Sequence, residues 1–275
     1  MALSINTNIA ALNATRKLSS STNNLNKTFE RLSSGLRVNG SRDDAAGLAI
    51  STRMTAQIRG MNMAIRNTND AVSMVQVAEG ALDETTNALQ RMRELAVQAA
   101  NGTLGTTDRA SLNLEVIQLR DEIERISTTT KFNGVSLIDG RLAFGNSATF
   151  QVGANATETL AISVASAGGV ALSVATTTVS TQANASTALN QIDVALDSVS
   201  DIRAKLGAYQ NRFESLIANL SNIVENTSAA KSRIMDADIA NETTNLTKSS
   251  ILQQASTAIL AQANQQPQIA LMLLG

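Results

Sequence analysis

The chain has 275 residues, with 22 Lys and Arg against 23 Asp and Glu, and it contains no Cys, no His and no Trp. The missing residue types exclude a thiolate nucleophile, a disulfide, a Cys/His zinc site and an imidazole acid or base. The net charge of −1 excludes a global positive field that would attract nucleic acid.

Helix-forming sequence dominates the chain. The single Pro, at position 267, leaves almost every residue free of the strongest helix breaker, which favours a mainly α fold. No apolar run approaches the roughly 18 residues of a membrane span. The first six residues have neither a basic nor a continuous apolar region, so we expect no membrane contact and no cleaved secretory signal.

Residues 3–33 form the first predicted helical segment, and its apolar spacing slips between Leu12 and Leu18. The first 40 residues are locally basic. Because Asn and Ser separate these charges, a solvated face is favoured over a weak binding arm. Such a segment has too few partners within one chain to be a stable helix alone. We therefore expect its surface to contact other copies of the chain.

Two long segments carry heptad spacing, in which apolar residues alternate by three and four positions. We call their apolar positions the rod seam: Ile58, Met61, Ile65, Val72, Val75, Leu82, Leu189, Ile192, Leu196, Val199, Leu206, Phe213, Ile217 and Leu220. Polar residues, including Glu79 and Gln210, interrupt it. A shorter segment, from Leu112 to Ile126, has the same spacing. Three such helices predict a coiled-coil bundle, and a helix over 47–100 would extend roughly 80 Å, so we expect a rod.

The helical pattern is broken twice in the middle of the chain. The break at 101–108 precedes a helix ending near Thr128, with Thr107 or Asp108 as its expected N-cap. Turn signals at 131–134 and 139–140 then introduce short β-type runs at 142–144, 148–152 and 159–164, which predict one or two hairpins. The uncharged residues 166–182 predict a loop or a weak strand. The Ser and Thr residues of 157–181 are expected to lie at the exterior and are candidates for O-glycosylation.

Two groups of carboxylates are the best candidates for acid/base or metal chemistry. They are Asp43 with Asp44, and Asp236 with Asp238 and Glu242. An Asp-x-Asp pair could help to hold Mg²⁺ or Ca²⁺. However, no calcium loop or phosphate-binding loop accompanies either group, so helix-end charges or subunit contacts are favoured. We expect neither a cofactor nor an enzyme.

Several long motifs resemble those of bacterial flagellins. They are MALSINTNIAALNA at 1–14, RLSSGLRVN at 31–39, SRDDAAGLAI at 41–50, LQRMRELAVQ at 89–98, SILQQA at 250–255 and LAQANQ at 260–265. The resemblance covers about 1–140 and 185–275, in order. It identifies the chain as a short member of the family with almost no outer variable domain.

The resemblance implies four parts: paired terminal helices at 1–33 and 242–275, a spoke at 34–46 and 235–241, a helical rod at 47–130 and 183–234, and a β-hairpin with a vestigial insert at 131–182. Copies of the terminal helices would line the inner core of a filament. By this resemblance, the residues expected to pack there are Ile5, Ile9, Leu12, Leu25, Phe29, Leu32, Leu252, Ile259, Leu271 and Leu274.

The resemblance also implies a function: a structural subunit that polymerises into the extracellular flagellar filament for motility. Its implied partners are many copies of itself, an export chaperone, a filament cap and hook–filament junction proteins. Export would follow the flagellar type III route without a cleaved signal. The flagellin-sensing Toll-like receptor is a further implied partner, with Arg91, Leu95 and Glu115 as the candidate contacts. Packing within or between subunits is the alternative role of these three residues.

Two other functions compete with this hypothesis. A hook–filament junction protein would share the terminal helices, but it would join structures rather than polymerise at length. A carboxylate-dependent hydrolase on a helical bundle would need a convergent acid pair in a pocket, and the sequence shows no sign of one.

Overall fold

The computed structural model describes residues 7–140 and 147–274, except for the side chains at 267–274. Within these residues the chain is mainly α-helical, as predicted, with five helices and two short β-hairpins. The helices are α1 (Ile9–Ser34), α2 (Ala45–Ala100), α3 (Thr106–Thr129), α4 (Gln182–Met235) and α5 (Ile239–Leu274). The strands are β1 (Lys131–Phe132), β2 (Val135–Ser136), β3 (Ser147–Gln151) and β4 (Thr159–Ser163).

The chain divides into two compact units. One, the terminal unit, comprises residues 1–56 and 225–275, and the other, the central unit, comprises residues 57–224. The boundaries that the flagellin resemblance implies for its four parts stay a prediction.

Helices α1 and α5 pack against each other in the terminal unit, which confirms that the two ends of the chain pair. The side-chain amide of Asn8 donates to the Ala263 carbonyl at 2.6 Å, and the Ser21 hydroxyl donates to the Ser249 carbonyl at 3.2 Å. Residue numbers rise along one helix as they fall along the other, so the pair is antiparallel. Few polar contacts join the helices, and small side chains such as Ala14 and Ser21 are buried between them.

The carboxylates that were candidates for metal binding lie at helix ends instead. Asp44 accepts a hydrogen bond from the Gly47 amide at 2.8 Å, at the start of α2. Asp238 accepts from the Ala240 and Asn241 amides at 2.9 and 3.2 Å, at the start of α5. Both satisfy amides that a helix leaves unpaired at its N-terminus. Among the described residues, no group of three or more Asp and Glu could hold a metal ion.

One hydrophobic core fills much of the central unit. It contains side chains from α2, α3 and α4 together with both hairpins. Three residues of the rod seam are among its largest fully buried side chains: Phe213, Leu82 and Leu206. Every residue of the rod seam is buried or half-buried. A second, smaller cluster joins Met61 and Ala64 to Leu220.

Polar contacts link α2 and α4 within the central unit and fix their register. The Gln210 amide donates to Glu79 at 2.8 Å. Arg203 pairs with Asp83 at 3.2 Å, and Arg93 pairs with Asp193 at 2.7 Å. From one contact to the next, the residue number rises along α2 and falls along α4, so the two helices are antiparallel. Two of the polar interruptions in the predicted seam, Glu79 and Gln210, thus contact each other.

The second hairpin packs against the long helices of the central unit. Strands β3 and β4 pair antiparallel, with Phe150 opposite Leu160. The ring of Phe150 meets that of Phe213 edge to face, with centroids 6.1 Å apart. Gly60 lies against the hairpin turn, and a Cβ added there would come within 3.0 Å of the Ala154 side chain. The predicted hairpin from the runs at 148–152 and 159–164 is confirmed, and the run at 142–144 lies outside the described residues. The first hairpin, β1–β2, lies where the sequence predicted only a turn.

Residues 164–181 form no strand but pack tightly, so the alternative of a weak strand is wrong. Leu172, Val174 and Val179 are buried in the central core. The Gly169 amide donates to Glu124 at 2.9 Å. Similarly, the Val179 amide donates to the side chain of Asn113 at 2.8 Å. These side-chain acceptors replace the partners that a neighbouring strand would have supplied.

Thr177 does not fit the expected exterior position. It is only 1% exposed, and its hydroxyl donates to Gln191 at 2.9 Å. A sugar on this hydroxyl would have to displace core side chains, so Thr177 is removed from the candidate O-glycosylation sites.

The start of α3 also differs from the expectation. The helix begins at Thr106, after Gly105, so neither Thr107 nor Asp108 is the N-cap. Asp108 instead lies in the first turn, and its carboxylate accepts from the Gly105 amide at 3.1 Å. A carboxylate in the first turn also interacts favourably with the positive end of the helix dipole. Asp108 therefore stabilises the start of α3, as expected, but it does so from the third position of the helix and not as the N-cap.

Candidate assembly and recognition surfaces

Large apolar side chains are exposed on both helices of the α1–α5 pair. The predicted inner-core residues Ile9, Leu12, Phe29, Leu252 and Ile259 are exposed by 63, 60, 53, 49 and 60%. Leu25 and Leu32 are half-buried. The side chains of Ile5, Leu271 and Leu274 lie outside those described. Exposed apolar residues on both partners of a helix pair mark a surface suited to association with another protein.

Charged residues anchor α1 to the loop that follows it and to α5. Lys27 pairs with Asp43 at 3.1 Å. Arg31 lies 4.0 Å from the largely buried carboxylate of Glu242. The hydrogen bond from Lys27, and then that from the Asn39 amide, lowers the pKa of the Asp43 carboxyl below its usual value. The carboxylate form of Asp43 is therefore favoured in the folded chain.

Replacing Asp43 with Asn is expected to remove part of the acid sensitivity of the terminal unit. A carboxyl whose pKa is lowered by folding stabilises the folded state above its unfolded pKa, near 4. That contribution is lost as the pH falls through the lower folded pKa. The midpoint temperature of thermal unfolding, measured on the monomer, should thus fall less steeply between pH 7 and 2.5 for Asp43→Asn than for the wild type. Parallel curves would contradict the role of Asp43.

Arg91 and Glu115 form an exposed ion-pair cluster on α2 and α3. The Arg91 Nε atom lies 2.8 Å from Glu115, and its Nη1 atom lies 2.9 Å from Glu94. The bond to Glu115, and then that to Glu94, raises the pKa of the Arg91 guanidinium. Two of the three residues proposed from the motif thus touch each other on the surface of the central unit.

Leu95 does not belong to this surface and requires a correction. It is 1% exposed and lies in the central core. A receptor could contact its side chain only if the bundle opened, so packing within the subunit is the role that the structure supports. Two other apolar residues are exposed: Val97, two residues after Leu95, by 52%, and Leu114, next to Glu115, by 66%. The sequence contained a signal for Leu114, because it falls between the seam positions Leu112 and Val116.

The helices of the part of the chain that the structure describes can be compared with the length and hydropathy of a membrane span. None of its helices is both long and apolar enough to cross a membrane. The polar clusters described above are ion pairs and helix caps.

Comparisons with known proteins agree at both ends of the chain. The model of the bacterial flagellin N-terminal helical region matches residues 5–143, and that of the C-terminal helical region matches residues 189–274. A flagellin of Halalkalibacterium halodurans is 48% identical over 272 residues, covering 98% of this chain and 99% of the relative. A flagellin of Bacillus subtilis is 47% identical over 303 residues, covering 98% and 99%.

A solved structure supports the same relationship. The crystal structure of Bacillus cereus flagellin is 34% identical, with a TM-score of 0.52, and the match covers 60% of this chain and 94% of that one. The family models cover most of the sequence, and the two relatives match over nearly their whole length. The chain therefore belongs to the bacterial flagellin family.

Proposed function

We propose that this chain polymerises through the exposed apolar faces of α1 and α5. Flagellins are structural subunits of the flagellar filament, which serves motility, and they are not enzymes. The observation that carries the proposal is the exposure of large apolar side chains on both helices of the terminal pair, by 49–63%. Helix α5 carries only Glu242 and Lys248 as charges, so apolar contact is the main interaction that its surface offers.

Burial of these side chains supplies the driving force. Full burial of a Leu, Ile or Phe side chain contributes about 1.5–3 kcal/mol. Several such side chains on each copy provide enough favourable free energy to offset the entropy of association. A near-neutral chain also brings many identical neighbours together without strong charge repulsion. An open helical filament then needs only that one patch of a copy meets a different patch on the next.

Growth on filament fragments tests the proposal against its main competitor. Purified monomer added to short seeds should extend them to micrometre lengths, as seen by negative-stain electron microscopy. A hook–filament junction protein would instead stop after one layer of subunits. Seeds that stay at their original length would thus overturn the proposal in favour of a junction role.

The remaining proposed partners are those that membership of the flagellin family implies. The exposed apolar face of α5 would have to be covered before assembly, which suits binding by an export chaperone. Subunits would leave the cell through the growing filament, join it beneath a cap and begin on junction proteins at the hook. The finished filament would be extracellular.

A second proposed role is recognition by the flagellin-sensing Toll-like receptor. Arg91 and Glu115 are exposed ion-pair partners on the surface of α2 and α3, where a partner protein could reach both side chains. Exposed Leu114, next to Glu115, supplies the apolar contact in place of the buried Leu95. Arg is enriched among residues that dominate protein interfaces, so Arg91 is the expected centre of this contact.

A further inference from the structure

A small pocket opens between α1 and α5. It has a volume of about 210 Å³ and is lined by Ala10, Asn13, Ala14, Lys17, Ser256 and Ile259. Small side chains on both helices leave this space. An apolar cavity of roughly 150 Å³ already holds a benzene molecule, so this pocket is large enough for a phenyl ring.

Phe29 is the one aromatic residue in the sequence of the terminal unit. It is 53% exposed on α1 and is therefore only partly covered by its own chain. A phenyl ring carries a large apolar surface on a side chain with only two rotatable bonds, which is why aromatic residues frequently anchor protein interfaces. The terminal unit thus presents an aromatic ring and a pocket that could hold one.

The charges beside these two features are complementary. Glu30 follows Phe29 and is the only acidic residue of α1, whereas Lys17 lines the pocket. Among the described residues neither takes part in a salt bridge, since the ion pairs of this unit join Lys27 to Asp43 and Arg31 to Glu242. Opposite charges at these positions would attract one another between two copies of the chain.

The spacing of the four groups is mutually consistent. Phe29 is 15 residues from Ala14 in the pocket wall, which is about 22 Å along a helix. Glu30 is 13 residues from Lys17, or about 20 Å. If the α1 helices of two copies lie parallel, one displacement of about 20 Å satisfies the apolar and the charged contact together.

We propose that Phe29 of one copy inserts into this pocket of the next copy, with Glu30 of the first copy pairing with Lys17 of the second. The inference rests on the proposed polymerisation and specifies the contact that drives it. Because the pocket and Phe29 are different patches of one chain, each added copy presents a new pocket and a new Phe29. Such a heterologous contact propagates without closing on a pair.

Disulfide cross-linking tests this contact directly, since the chain has no Cys of its own. Phe29→Cys and Ala14→Cys, combined in one chain, lie 15 residues apart on α1, or about 22 Å, which is the spacing that the proposed contact brings together between two copies. A disulfide requires Cα atoms within about 7 Å, so it would form only between copies. Filaments of the double variant, grown on wild-type seeds and oxidised, should give a ladder of multimers on a non-reducing gel.

Single variants and a matched pair provide the controls. Each single Cys variant should give no multimer beyond a dimer. Phe29→Cys with Leu12→Cys places the second thiol on an exposed position that does not line the pocket, and it should give no ladder. Filaments in which the Ala14 pair does not cross-link, whether or not the Leu12 pair does, would overturn the inference.

A charge exchange gives a second test that does not alter the apolar contact. Lys17→Glu and Glu30→Lys should each raise the critical concentration for growth about three- to tenfold, and the two together should restore it. Both residues are exposed, and circular dichroism would verify that the helices are intact. Additive losses in the double variant would contradict the pairing. Failure of the wild-type chain to extend seeds would instead overturn the proposed function itself.

Discussion

Replacing Phe213 with Ala is expected to lower the free energy of unfolding of residues 57–224 by about 3–5 kcal/mol. Phe213 is fully buried and occupies the rod seam on α4. Its ring also packs edge to face on that of Phe150, at 6.1 Å, so the substitution removes an aromatic contact between the helix and the second hairpin. Urea unfolding of the monomer, followed by circular dichroism, measures the loss.

Val194→Ala is the matched control for this substitution. Val194 lies on the same helix but is 60% exposed, so its truncation should change the free energy of unfolding by less than about 0.5 kcal/mol. Equal effects of the two substitutions would show that the seam does not form the core of the central unit.

Leu95→Ala is expected to have the second largest effect, about 2–5 kcal/mol, because it leaves a cavity among tightly packed side chains. The neighbouring exposed residue provides its control, since Val97→Ala should have little effect. Urea unfolding distinguishes the two. An unchanged midpoint for Leu95→Ala would mean that the side chain is not buried and that its role as a receptor contact should be restored.

Arg91→Ala should lower receptor activation without lowering stability, which is the reverse of the result expected for Leu95→Ala. Exposed ion pairs contribute little to stability, so the free energy of unfolding should stay almost unchanged. Activation of a receptor reporter by this variant should nevertheless fall at least tenfold, whereas folded Leu95→Ala protein should keep most of its activity. Full activity of Arg91→Ala would contradict the proposed recognition surface.

The helical parts of the fold were predictable because a long heptad pattern has one physical reading. Beyond Leu82 the rod seam continues by steps of three and four through residue 86 to Leu89, Met92 and then Leu95 or Ala96. These last four residues are buried. The same rule, carried one turn further, would have placed Leu95 in the core. A motif shared with a family indicates that a residue is important without indicating which way its side chain points.

Residues 164–181 were harder to predict, because their order depends on distant partners. Nothing local to Gly169 or Val179 indicates that the carboxylate of Glu124 and the amide of Asn113 bind their backbones. The assembly surface was intermediate in difficulty. Interrupted apolar spacing in residues 3–33 predicted a surface that contacts other copies, and the structure leaves apolar side chains of α1 exposed. The pocket near Ala14, in contrast, depends on how closely the two helices pack.

The central claim is that the paired terminal helices form the polymerisation surface, and deletion of residues 241–275 tests it most directly. The truncated chain would be added to wild-type filament fragments beside the full-length chain, with electron microscopy to measure filament length and circular dichroism to verify helicity. We expect a helical monomer that extends no seed, and the same result after deletion of residues 1–40. Long filaments from both truncated chains would contradict the claim.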